Sequence, residues 1–400
     1  MRLEVEEAIR RLTDKMRRQE STEKVNLVNA SGRITAEDIR APFSVPSYPK
    51  SAMDGYAVIS EDVTGASKEA PVHLRVTGQI NAGDPANFAC TPGTAVRIMT
   101  GAEVPAGYDA VIRQEDTDYG ADTVAIYTGI SKWQNYCRPG EDIEAGTCVI
   151  PAGTMLTPAH ISVIASLGIA DFRVLKPMRT AILSTGSELL EPGLVSDKAR
   201  TYNSTVYQLQ AALTDRHIEV VERGHAPDTI DAIGGFLKRH IGNVSVIITT
   251  GGVSVGDKDL MPAVLAELGC EILFRGANIK PGTPVTAGYK DGTVILCCSG
   301  NPFACVVNFQ VFFWPMAAAV TGCFAFLPKE REVTLMSGYS RPRHLRGYLR
   351  ARCDGDGVYI PDKGHSSSIM SSAVDCNCMV IQPEQVELKV GDRVRIRELL

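Results

Sequence analysis

The first eighteen residues carry apolar side chains at helical spacing. These positions are Val5, Ala8, Ile9, Leu12 and Met16. The spacing predicts an amphipathic helix over residues 1–18, whose apolar face must pack against another part of the protein. We expect that partner to be distant in sequence. Pro42, Pro46 and Pro49 then predict an extended connection, because proline cannot continue a helix.

Short runs of alternating apolar and polar residues fill residues 60–145. They lie at 72–76, 95–99, 110–112 and 123–126, and Gly, Pro and Asp turns separate them. This pattern predicts a small antiparallel β domain. A Thr-Pro start predicts a helix over 157–167. We therefore predict a β domain over 51–139, inserted into a discontinuous N-terminal linker domain over 1–50 and 140–176 that is helical and extended.

From residue 177 to residue 327, predicted strands and helices alternate. The strands lie at 180–183, 218–221, 244–248, 271–274 and 294–296, and the helices near 203–215, 229–241, 259–268 and 303–320. The alternation predicts a doubly wound α/β domain with helices on both faces of its sheet. Residues 328–400 contain short strands and turns, which predict a C-terminal β-barrel-like domain. The fold class is therefore multidomain α/β plus β.

Composition narrows the class of protein. A chain of 400 residues exceeds the size of one hydrophobic core, so about two to four domains are expected. The net charge of -5 argues against general affinity for nucleic acid or membrane surfaces. Eleven cysteines without a C-x-x-C pair support neither a disulfide framework nor a zinc ribbon. The charged start lacks an export signal, so we expect a cytoplasmic protein.

The glycine loop, residues 249–259, is the strongest local sign of chemistry. It follows an apolar run typical of a buried strand and precedes a predicted helix. Its glycines leave backbone N–H groups open to a phosphate, and the helix start adds partial positive charge. Asp257 and Asp259 close the loop, which suggests a bridging Mg²⁺ or chemistry at a phosphoryl group. A plain tight turn is the alternative.

Other polar residues have structural alternatives as well. Asp228 precedes a predicted helix, so it is either an N-cap or a cation ligand at the carboxyl edge of the sheet. Asp54-Gly55 is either a hairpin turn or part of a ligand loop. The densest basic run consists of Arg341, Arg343, Arg346, Arg350 and Arg352. A solvated strand face explains that run as well as ligand binding does, and RNA binding is disfavoured because aromatic residues are scarce there.

Eight short motifs occur in order along nearly the whole chain. They are SAMDGYAV at 51–58, RIMTGA at 97–102, RPGEDI at 138–143, STGSEL at 184–189, GGVSVGDKD at 251–259, IKPG at 279–282, SGNP at 299–302 and GHSSSIMSS at 364–372. With these motifs the chain resembles the molybdopterin molybdenumtransferase family, which comprises bacterial MoeA and the E domain of gephyrin. The resemblance implies a cytoplasmic, four-domain homodimer that inserts molybdate into adenylylated molybdopterin with Mg²⁺-dependent release of AMP.

The resemblance also implies roles for individual residues. Asp228, Asp259 and Glu188 would place Mg²⁺ and the attacking water. Lys280, with Arg346 or Arg350 and the serines of 366–372, would bind the oxyanion. The partner subunit would complete the site with residues that correspond to Asp54, Thr100 and Arg138. The remaining substrate-binding positions would be Thr185, Gly186, Gly251, Gly252, Ser254, Gly256, Asp257, Gly300, Asn301, Pro302, Ser367 and Ser368.

Two motifs depart from the family pattern. Where the family usually reads KPGKP, this chain has Thr283 in place of the second lysine. Where the family reads PGNPVS, this chain has Ser299, Phe303 and Ala304. Two alternative functions stay open: a molybdopterin adenylyltransferase, and a non-catalytic scaffold or weakly active paralogue. Expected partners are small-molecule substrates and a second copy of the chain, with molybdoenzymes or an adenylyltransferase as transfer partners and neither nucleic acid nor membrane.

Overall fold

The computed structural model describes residues 2–195, 199–253, 260–362 and 364–400. The chain forms two compact units. The first comprises Met1–Glu37, Ala152–Pro158 and Asp171–Leu400, and the second comprises Asp38–Pro151 and Ala159–Ala170. The four-domain division expected from the sequence stays a prediction.

A six-stranded sheet forms the centre of the first unit. In spatial order its strands are Glu219–Ala226, Arg179–Thr185, Val246–Thr250, Thr293–Cys298, Thr286–Lys290 and Glu271–Arg275. Strand Thr286–Lys290 is antiparallel to both of its neighbours, and the other five strands all run in one direction. This one reversed strand differs from the alternation expected from the sequence. Asp291 and Gly292 form a two-residue connection with positive φ angles of 47° and 85°, which reverses the chain as a hairpin turn does.

Helices cover both faces of the central sheet, as predicted. Ile182 and Ile248 point to the face that packs against the helices Val5–Thr13, Thr205–Thr214 and Pro302–Thr321. Their neighbours Leu183 and Ile247 point to the other face, where the helices Ile230–His240 and Met261–Glu267 lie. Since successive side chains of a strand alternate between faces, each strand supplies both cores. The doubly wound architecture is therefore confirmed.

The N-terminal helix is shorter than the predicted 1–18 and spans Val5–Thr13. After Thr13 the chain forms a tighter turn of the 3₁₀ type, because the Met16 N–H donates to the Thr13 carbonyl, three residues back, instead of to a carbonyl four residues back. Its buried residues include Val5 and Leu12, which share a core with Pro302–Thr321. The expectation of a partner distant in sequence is therefore confirmed.

Pro302–Thr321, here called the core helix, is apolar on almost every side. By length and composition it could cross a membrane, but 83% of its most apolar 18-residue window is buried inside the protein. It is therefore a buried helix of the first unit, and it matches the predicted helix near 303–320. The polar side chain of Gln310 has a hydrogen-bond partner within this helix, because its oxygen accepts a 2.9 Å bond from Trp314 Nε1.

A closed β-barrel follows the core helix, which confirms the predicted barrel-like architecture. Its strands are Glu330–Leu335, Arg346–Asp354, Gly357–Tyr359, Cys378–Gln382 and Arg393–Glu398. Closure comes from Arg346–Asp354, which pairs with both Gly357–Tyr359 and Cys378–Gln382. The short strand Ile279–Lys280 extends this sheet. Val333, Leu349, Val380 and Ile396 are among the residues that fill the interior.

The second unit is built on a five-stranded sheet. In spatial order its strands are Ala110–Arg113, Gly55–Val58, Thr94–Ile98, Val72–Ile80 and Thr123–Ile126. The prediction of a purely antiparallel domain is wrong at one pair, since Val72–Ile80 runs parallel to Thr94–Ile98. Two hydrophobic clusters cover the two faces, with Tyr56 on one and Ala57 on the other.

Short elements make up the rest of the described regular structure. Three strand pairs are Thr22–Asn26 with Asp171–Leu175, Leu189–Leu190 with Thr201–Tyr202, and Lys50–Ser51 with Tyr136–Cys137. A fourth joins Ile39–Arg40 to Cys148–Ile150. The helix Pro158–Ser166 matches the predicted 157–167 closely. The 3₁₀ helices are Leu27–Asn29, Ser60–Val63, Gln114–Asp116, Phe324–Phe326 and Ser371–Ala373.

Candidate functional site

A cleft of about 530 Å³ lies at the carboxyl edge of the central sheet. Three neighbouring parallel strands end there at Thr185, Thr250 and Cys298, and ligands of open α/β sheets bind at such an edge. The predicted site residues that line it are Thr185, Gly186, Glu188, Asp228, Gly251, Gly252, Gly300, Asn301, Pro302 and Ser368. The structure therefore brings together residues from four separate motifs.

Close packing of backbone shapes the floor of this cleft. Gly251 has φ +94°, and a Cβ there would lie 2.6 Å from the Thr185 carbonyl oxygen. Any other residue would strain the backbone and collide with the neighbouring strand. Gly300 approaches from the next loop, since its Cβ would lie 3.3 Å from Gly251 Cα. The small residues thus leave backbone exposed to a ligand.

The core helix begins at the cleft. Asn301 precedes it and Pro302 is its first residue, where a missing N–H costs nothing. The Phe303 N–H donates to the Ser367 carbonyl oxygen at 2.8 Å, which ties the helix start to residues 364–372, here called the serine loop. Ser366 and Ser368 share a hydroxyl bond of 2.9 Å. The helix dipole and these hydroxyls favour an anionic group in the cleft.

Asp228 and Glu188 are the acidic side chains among the described residues that line the cleft. The Ser187 N–H donates to Asp228 Oδ2 at 3.3 Å. Asp228 is not the N-cap of the following helix, because Thr229 caps it by accepting a 3.3 Å bond from the Ala232 N–H. The capping alternative for Asp228 is therefore wrong. Glu188 folds back over Gly186, whose Cβ would lie 2.9 Å from the carboxylate.

These two carboxylates fit a magnesium ion bound partly by substrate. Mg²⁺ usually keeps several waters and takes one or two carboxylates together with phosphate oxygens. Within residues 2–253 (apart from 196–198), 260–362 and 364–400, no group of three or more His, Cys, Asp or Glu side chains could hold a metal ion. Ser254, Gly256, Asp257 and Asp259 lie outside the described residues, so their predicted roles stay predictions.

A buried polar network supports the wall of the cleft at residues 189 and 201–205. Asn203 is 3% exposed, and its Nδ2 donates to Ser184 Oγ at 2.9 Å and to Glu191 Oε1 at 2.8 Å. The Tyr207 hydroxyl donates to Glu191 at 2.7 Å, and this bond lowers the pKa of the Glu191 carboxyl. Sequence reasoning missed this network, although Asn203 and Ser204, the two polar residues directly before the helix Thr205–Thr214, are a visible signal.

A second cavity of about 420 Å³ contains Lys280 and Thr283. Val253 and Pro284 line both cavities, so the two share a wall. The Thr283 hydroxyl donates to the Ile279 carbonyl at 2.5 Å and thereby closes the turn that carries Lys280.

Asn308 connects two of the predicted loops from inside the core helix. Its Nδ2 donates to the Gly282 carbonyl at 2.8 Å, and its Oδ1 accepts a 3.1 Å bond from the Ser299 N–H. Gly282 has φ +99°, and a Cβ there would lie 2.4 Å from Asn308 Nδ2, so only glycine fits. The carboxamide therefore holds the oxyanion motif against the start of the core helix. The predicted helix near 303–320 carried no sign of this role for Asn308.

The two arginines of the predicted oxyanion site have different surroundings. Arg346 forms an ion pair with Glu6 and lowers the pKa of that carboxyl. Arg350 is 2% exposed, and its guanidinium lies 3.7 Å from the centre of the Phe303 ring. It donates to the Ile369 carbonyl, to Ser372 Oγ at 2.8 Å and to the Ser366 carbonyl at 3.0 Å. Arg350 thus holds the serine loop, and direct contact with an oxyanion stays a prediction.

We expect Arg350→Met to loosen the serine loop. Each hydrogen bond to a charged group contributes about 1.5–3 kcal/mol, and the loop carbonyls would lose their donor. Limited proteolysis should then cut within residues 364–376 faster than in the wild type, and thermal unfolding should begin earlier. Arg352→Met is the matched control, because Arg352 is exposed on the same strand. Equal protease sensitivity of the two variants would contradict this role for Arg350.

Three predicted site residues belong to the second unit. Asp54 Oδ1 accepts bonds of 2.7 Å from both the N–H and the hydroxyl of Thr100, and these bonds lower the pKa of the Asp54 carboxyl. Ser51 pairs with Tyr136, which brings the 51–54 turn beside the segment that leads to Arg138. The Arg138 guanidinium lies 5.7 Å from the centre of the Trp133 ring. The unit therefore gathers three distant motifs at one place.

Comparison with known proteins gives matches along the chain. Residues 3–168 match the family model described as "MoeA N-terminal region (domain I and II)", and residues 181–319 match the one described as "Probable molybdopterin binding domain". A molybdopterin molybdenumtransferase 2 of Mycobacterium tuberculosis is 35% identical over 385 residues, which cover 94% of each chain. A molybdopterin molybdenumtransferase of Staphylococcus aureus is 32% identical and covers 95% of this chain and 91% of its own.

A solved structure agrees with these matches. The molybdopterin biosynthesis moeA protein from Pyrococcus horikoshii OT3 superposes with a TM-score of 0.87 at 27% identity and covers 100% of both chains. The chain belongs to the molybdopterin molybdenumtransferase family. The family predicted from the eight motifs is therefore confirmed, and so is the fold class. The assignment of individual residues stays a prediction.

Three of the residues at which this chain departs from the family pattern have defined contacts or positions in the structure. Phe303 lies under the Arg350 guanidinium and so takes part in holding the serine loop. Ser299 Oγ accepts a 3.4 Å bond from the Asn301 N–H at the start of the core helix. Thr283 lies in the second cavity beside Lys280. These three departures therefore lie in or next to the two cavities.

Proposed function

We propose that this chain inserts molybdate into adenylylated molybdopterin and releases AMP in a Mg²⁺-dependent step. Full-length similarity to molybdopterin molybdenumtransferases of two organisms supports this reaction. The observation in the structure that carries it is the pair of cavities with a common wall at Val253 and Pro284. One cavity suits a phosphate-bearing substrate, and the other carries the lysine of the oxyanion motif.

In the larger cavity the chain binds and orients the nucleotide-bearing substrate. Phosphate oxygens approach the backbone at Gly251 and Gly300, because glycine carries no side chain that blocks them, and the dipole of the core helix favours their negative charge. The network around Asn203 fixes the wall of the cleft. This rigid cleft holds the phosphoanhydride in one orientation, which is the largest contribution a binding site makes to phosphoryl transfer.

The carboxylates act at the bond that breaks. Mg²⁺, when bound, would neutralise charge on the phosphate oxygens. Asp228 and Glu188 would hold it together with Asp259. Asp228 would also accept a hydrogen bond from the attacking water, whose oxygen becomes part of the released AMP while the molybdopterin phosphate leaves. Lys280 would stabilise the oxyanion beside the dithiolene.

The homodimer is a further part of the proposal. Asp54, Thr100 and Arg138 of the partner subunit would complete each site, as the resemblance implies. Sedimentation should then give a particle of twice 43.1 kDa. A cytoplasmic location and transfer partners among molybdoenzymes or adenylyltransferases also belong to this proposal.

The two alternative functions are less well supported. An adenylyltransferase would leave residues 3–168 without a role, yet these match the N-terminal region of MoeA. A pure scaffold would leave the polar cleft and its carboxylates without a role. Molybdate insertion by a protein of the MoeA type gives a role both to residues 3–168 and to the polar cleft.

The test follows AMP release from adenylylated molybdopterin by the purified protein with Mg²⁺. We expect AMP to appear with molybdate and not with an equal concentration of sulfate. AMP release that is independent of molybdate would contradict metal insertion. A parallel reaction with ATP and molybdopterin tests the adenylyltransferase, because formation of the adenylylated product there would favour that alternative.

A further inference from the structure

Trp133 combines an exposed indole with a strained backbone. It is 40% exposed, whereas the other tryptophan of the chain, Trp314, is 0% exposed in the core of the first unit. The φ angle at Trp133 is +68°, a left-handed conformation that glycine and asparagine adopt more readily than a bulky residue does. Strain of this kind is found at sites that contact ligands, so this exposed ring is a candidate for such a contact.

Two backbone hydrogen bonds fix the turn that carries Trp133. The Trp133 N–H donates to the Asp109 carbonyl at 2.7 Å. The Asn135 carbonyl, two residues further on, accepts a 3.0 Å bond from the Ala52 N–H, which joins this turn to the SAMDGYAV motif at 51–58. The indole is therefore carried by a fixed backbone, and that backbone is bonded to one of the motifs predicted to contact substrate.

The neighbouring cations do not cover the indole closely. Lys132 Nζ lies 5.2 Å from the ring centre, and the Arg138 guanidinium lies 5.7 Å from it. Where a guanidinium stacks on a ring elsewhere in this chain the distance is shorter, as in the 3.9 Å between Arg223 and the Tyr207 ring. The indole therefore keeps surface for a further partner, in agreement with its exposure.

The same two cations suit a ring that carries an anionic group. Arg138 is the arginine predicted to contact substrate, and its backbone N–H bonds to Glu141. Within residues 38–151, which are all described, no group accepts a hydrogen bond from its guanidinium. A guanidinium can bind two phosphate oxygens at once, and an indole can stack on a flat heterocycle. Trp133 and Arg138 together thus match a flat ring with a phosphate near it.

We propose that Trp133 stacks on the pterin ring of the substrate, while Arg138 binds the phosphate next to that ring. This rests on the proposed function, in which the larger cleft of the first unit takes the nucleotide end. Adenylylated molybdopterin contains two flat ring systems, adenine and pterin, so the pterin is the one left for the second unit of the partner subunit. Trp133 lies outside the eight motifs, so the resemblance assigns it no role.

The test measures the two halves of the substrate separately, by anaerobic equilibrium dialysis of the purified full chain with molybdopterin and with AMP. Trp133→Asn should weaken molybdopterin binding roughly five- to a hundredfold, the range typical of losing an aromatic stacking partner, and leave AMP binding unchanged. Trp133→Phe keeps a ring face and should retain most of the affinity. Asparagine adopts a positive φ readily, so the first variant should still fold.

Tyr119→Asn is the matched control. Tyr119 is also an aromatic residue of the second unit with a positive φ, 60°, and it is 50% exposed in a different turn. The control therefore removes an exposed ring and relieves the same backbone strain. It should keep wild-type affinity for molybdopterin, and an equal loss in Tyr119→Asn and Trp133→Asn would contradict a specific role for Trp133.

A second measurement reports the contact itself. Incorporation of fluorotryptophan gives two fluorine NMR signals, because the chain contains two tryptophans, and Trp133→Phe assigns them. Molybdopterin should shift the Trp133 signal and leave the signal of the buried Trp314 in place. A Trp133 signal that stays unmoved at saturating molybdopterin would show that the ring does not meet the pterin.

Three further results would overturn the inference. The first is unchanged molybdopterin affinity in Trp133→Asn. The second is a loss of AMP affinity as large as the loss of molybdopterin affinity, because the ring would then bind adenine or act on the whole site. The third is dissociation of Trp133→Asn into monomers during sedimentation, because the indole would then pack between subunits.

The same variants separate this inference from the proposed function. If Trp133→Asn binds molybdopterin normally while AMP release still depends on molybdate, the inference is wrong and the proposed function stands. If Trp133→Asn loses molybdopterin while AMP release by the wild type never responds to molybdate, the pterin site stands and the proposed function is wrong.

Discussion

Asp228→Asn should lower the turnover of AMP release on the order of a hundredfold or more, the range typical of losing one preorganised electrostatic group. Asp228 is half-buried in the larger cleft and is not engaged as a helix cap, because Thr229 performs that role. Its carboxylate is therefore available to a cation and a water. The substitution removes one negative charge with almost no change in shape.

Binding of adenylylated molybdopterin should be nearly unchanged in this variant. The amide oxygen of asparagine can still accept the bond from the Ser187 N–H, so the loop keeps its position. An interaction used mainly in the transition state lowers kcat and leaves substrate affinity intact. Measuring kcat by AMP release and Kd by substrate titration separates the two effects.

Asp231→Asn is the matched control. Asp231 is exposed in the first turn of the helix Ile230–His240, three residues beyond Asp228, so the control removes the same charge from the same helix end. It should keep wild-type turnover. If Asp228→Asn also turns over at the wild-type rate, this carboxylate does not place the metal or the water. Asp259→Asn should behave like Asp228→Asn, on the basis of the family motif.

The central sheet shows what a hydrophobic pattern can predict. The parallel strands are buried on both faces and are rich in β-branched residues, so Val246–Thr250 was recognisable within two residues. Thr286–Lys290 was missed, because Thr, Ala and Gly give a strand too little apolar contrast to be seen. Asp291-Gly292 was a usable hairpin signal beside it. The reversed strand Thr286–Lys290 matters, because the edge strand Glu271–Arg275 pairs with it and ends at the second cavity.

The site residues that were missed share a different cause. Asn203 and Asn308 lie outside the motifs, and their roles arise from side-chain contacts with other segments of the chain. Asn203 meets Ser184, and Asn308 meets Gly282. Such pairings depend on the final packing of helix and sheet, which local pattern does not contain. The motif residues were found because a family resemblance already carries that tertiary information.

A complementation experiment should give the second large effect. If each site takes Asp228 from one subunit and Asp54 from its partner, then Asp54→Ala and Asp228→Asn should each inactivate the homodimer. Asp54 is suited to such a role, because its bonds to Thr100 hold the carboxylate in place and lower the pKa of the Asp54 carboxyl. A heterodimer of the two variants would contain one site with both substitutions and one site with neither.

Co-expression with two different affinity tags allows that heterodimer to be purified. Its activity should rise from the background of the two parents to about half of the wild-type value, because one of two symmetry-related sites is intact. Glu188→Gln paired with Asp228→Asn is the matched control. Both of those residues line the same cleft of one chain, so every site in that heterodimer carries one substitution and activity should stay at background.

The activities of the two heterodimers together show which subunit supplies Asp54 to the site that contains Asp228. Recovery in the Asp54 and Asp228 pair alone would require that the second unit of one chain act at the cleft of another. Recovery in neither pair would place Asp54 and Asp228 in the same site of a single chain. Recovery in both would mean that Glu188 is dispensable, and the role proposed for it at the metal would then be wrong.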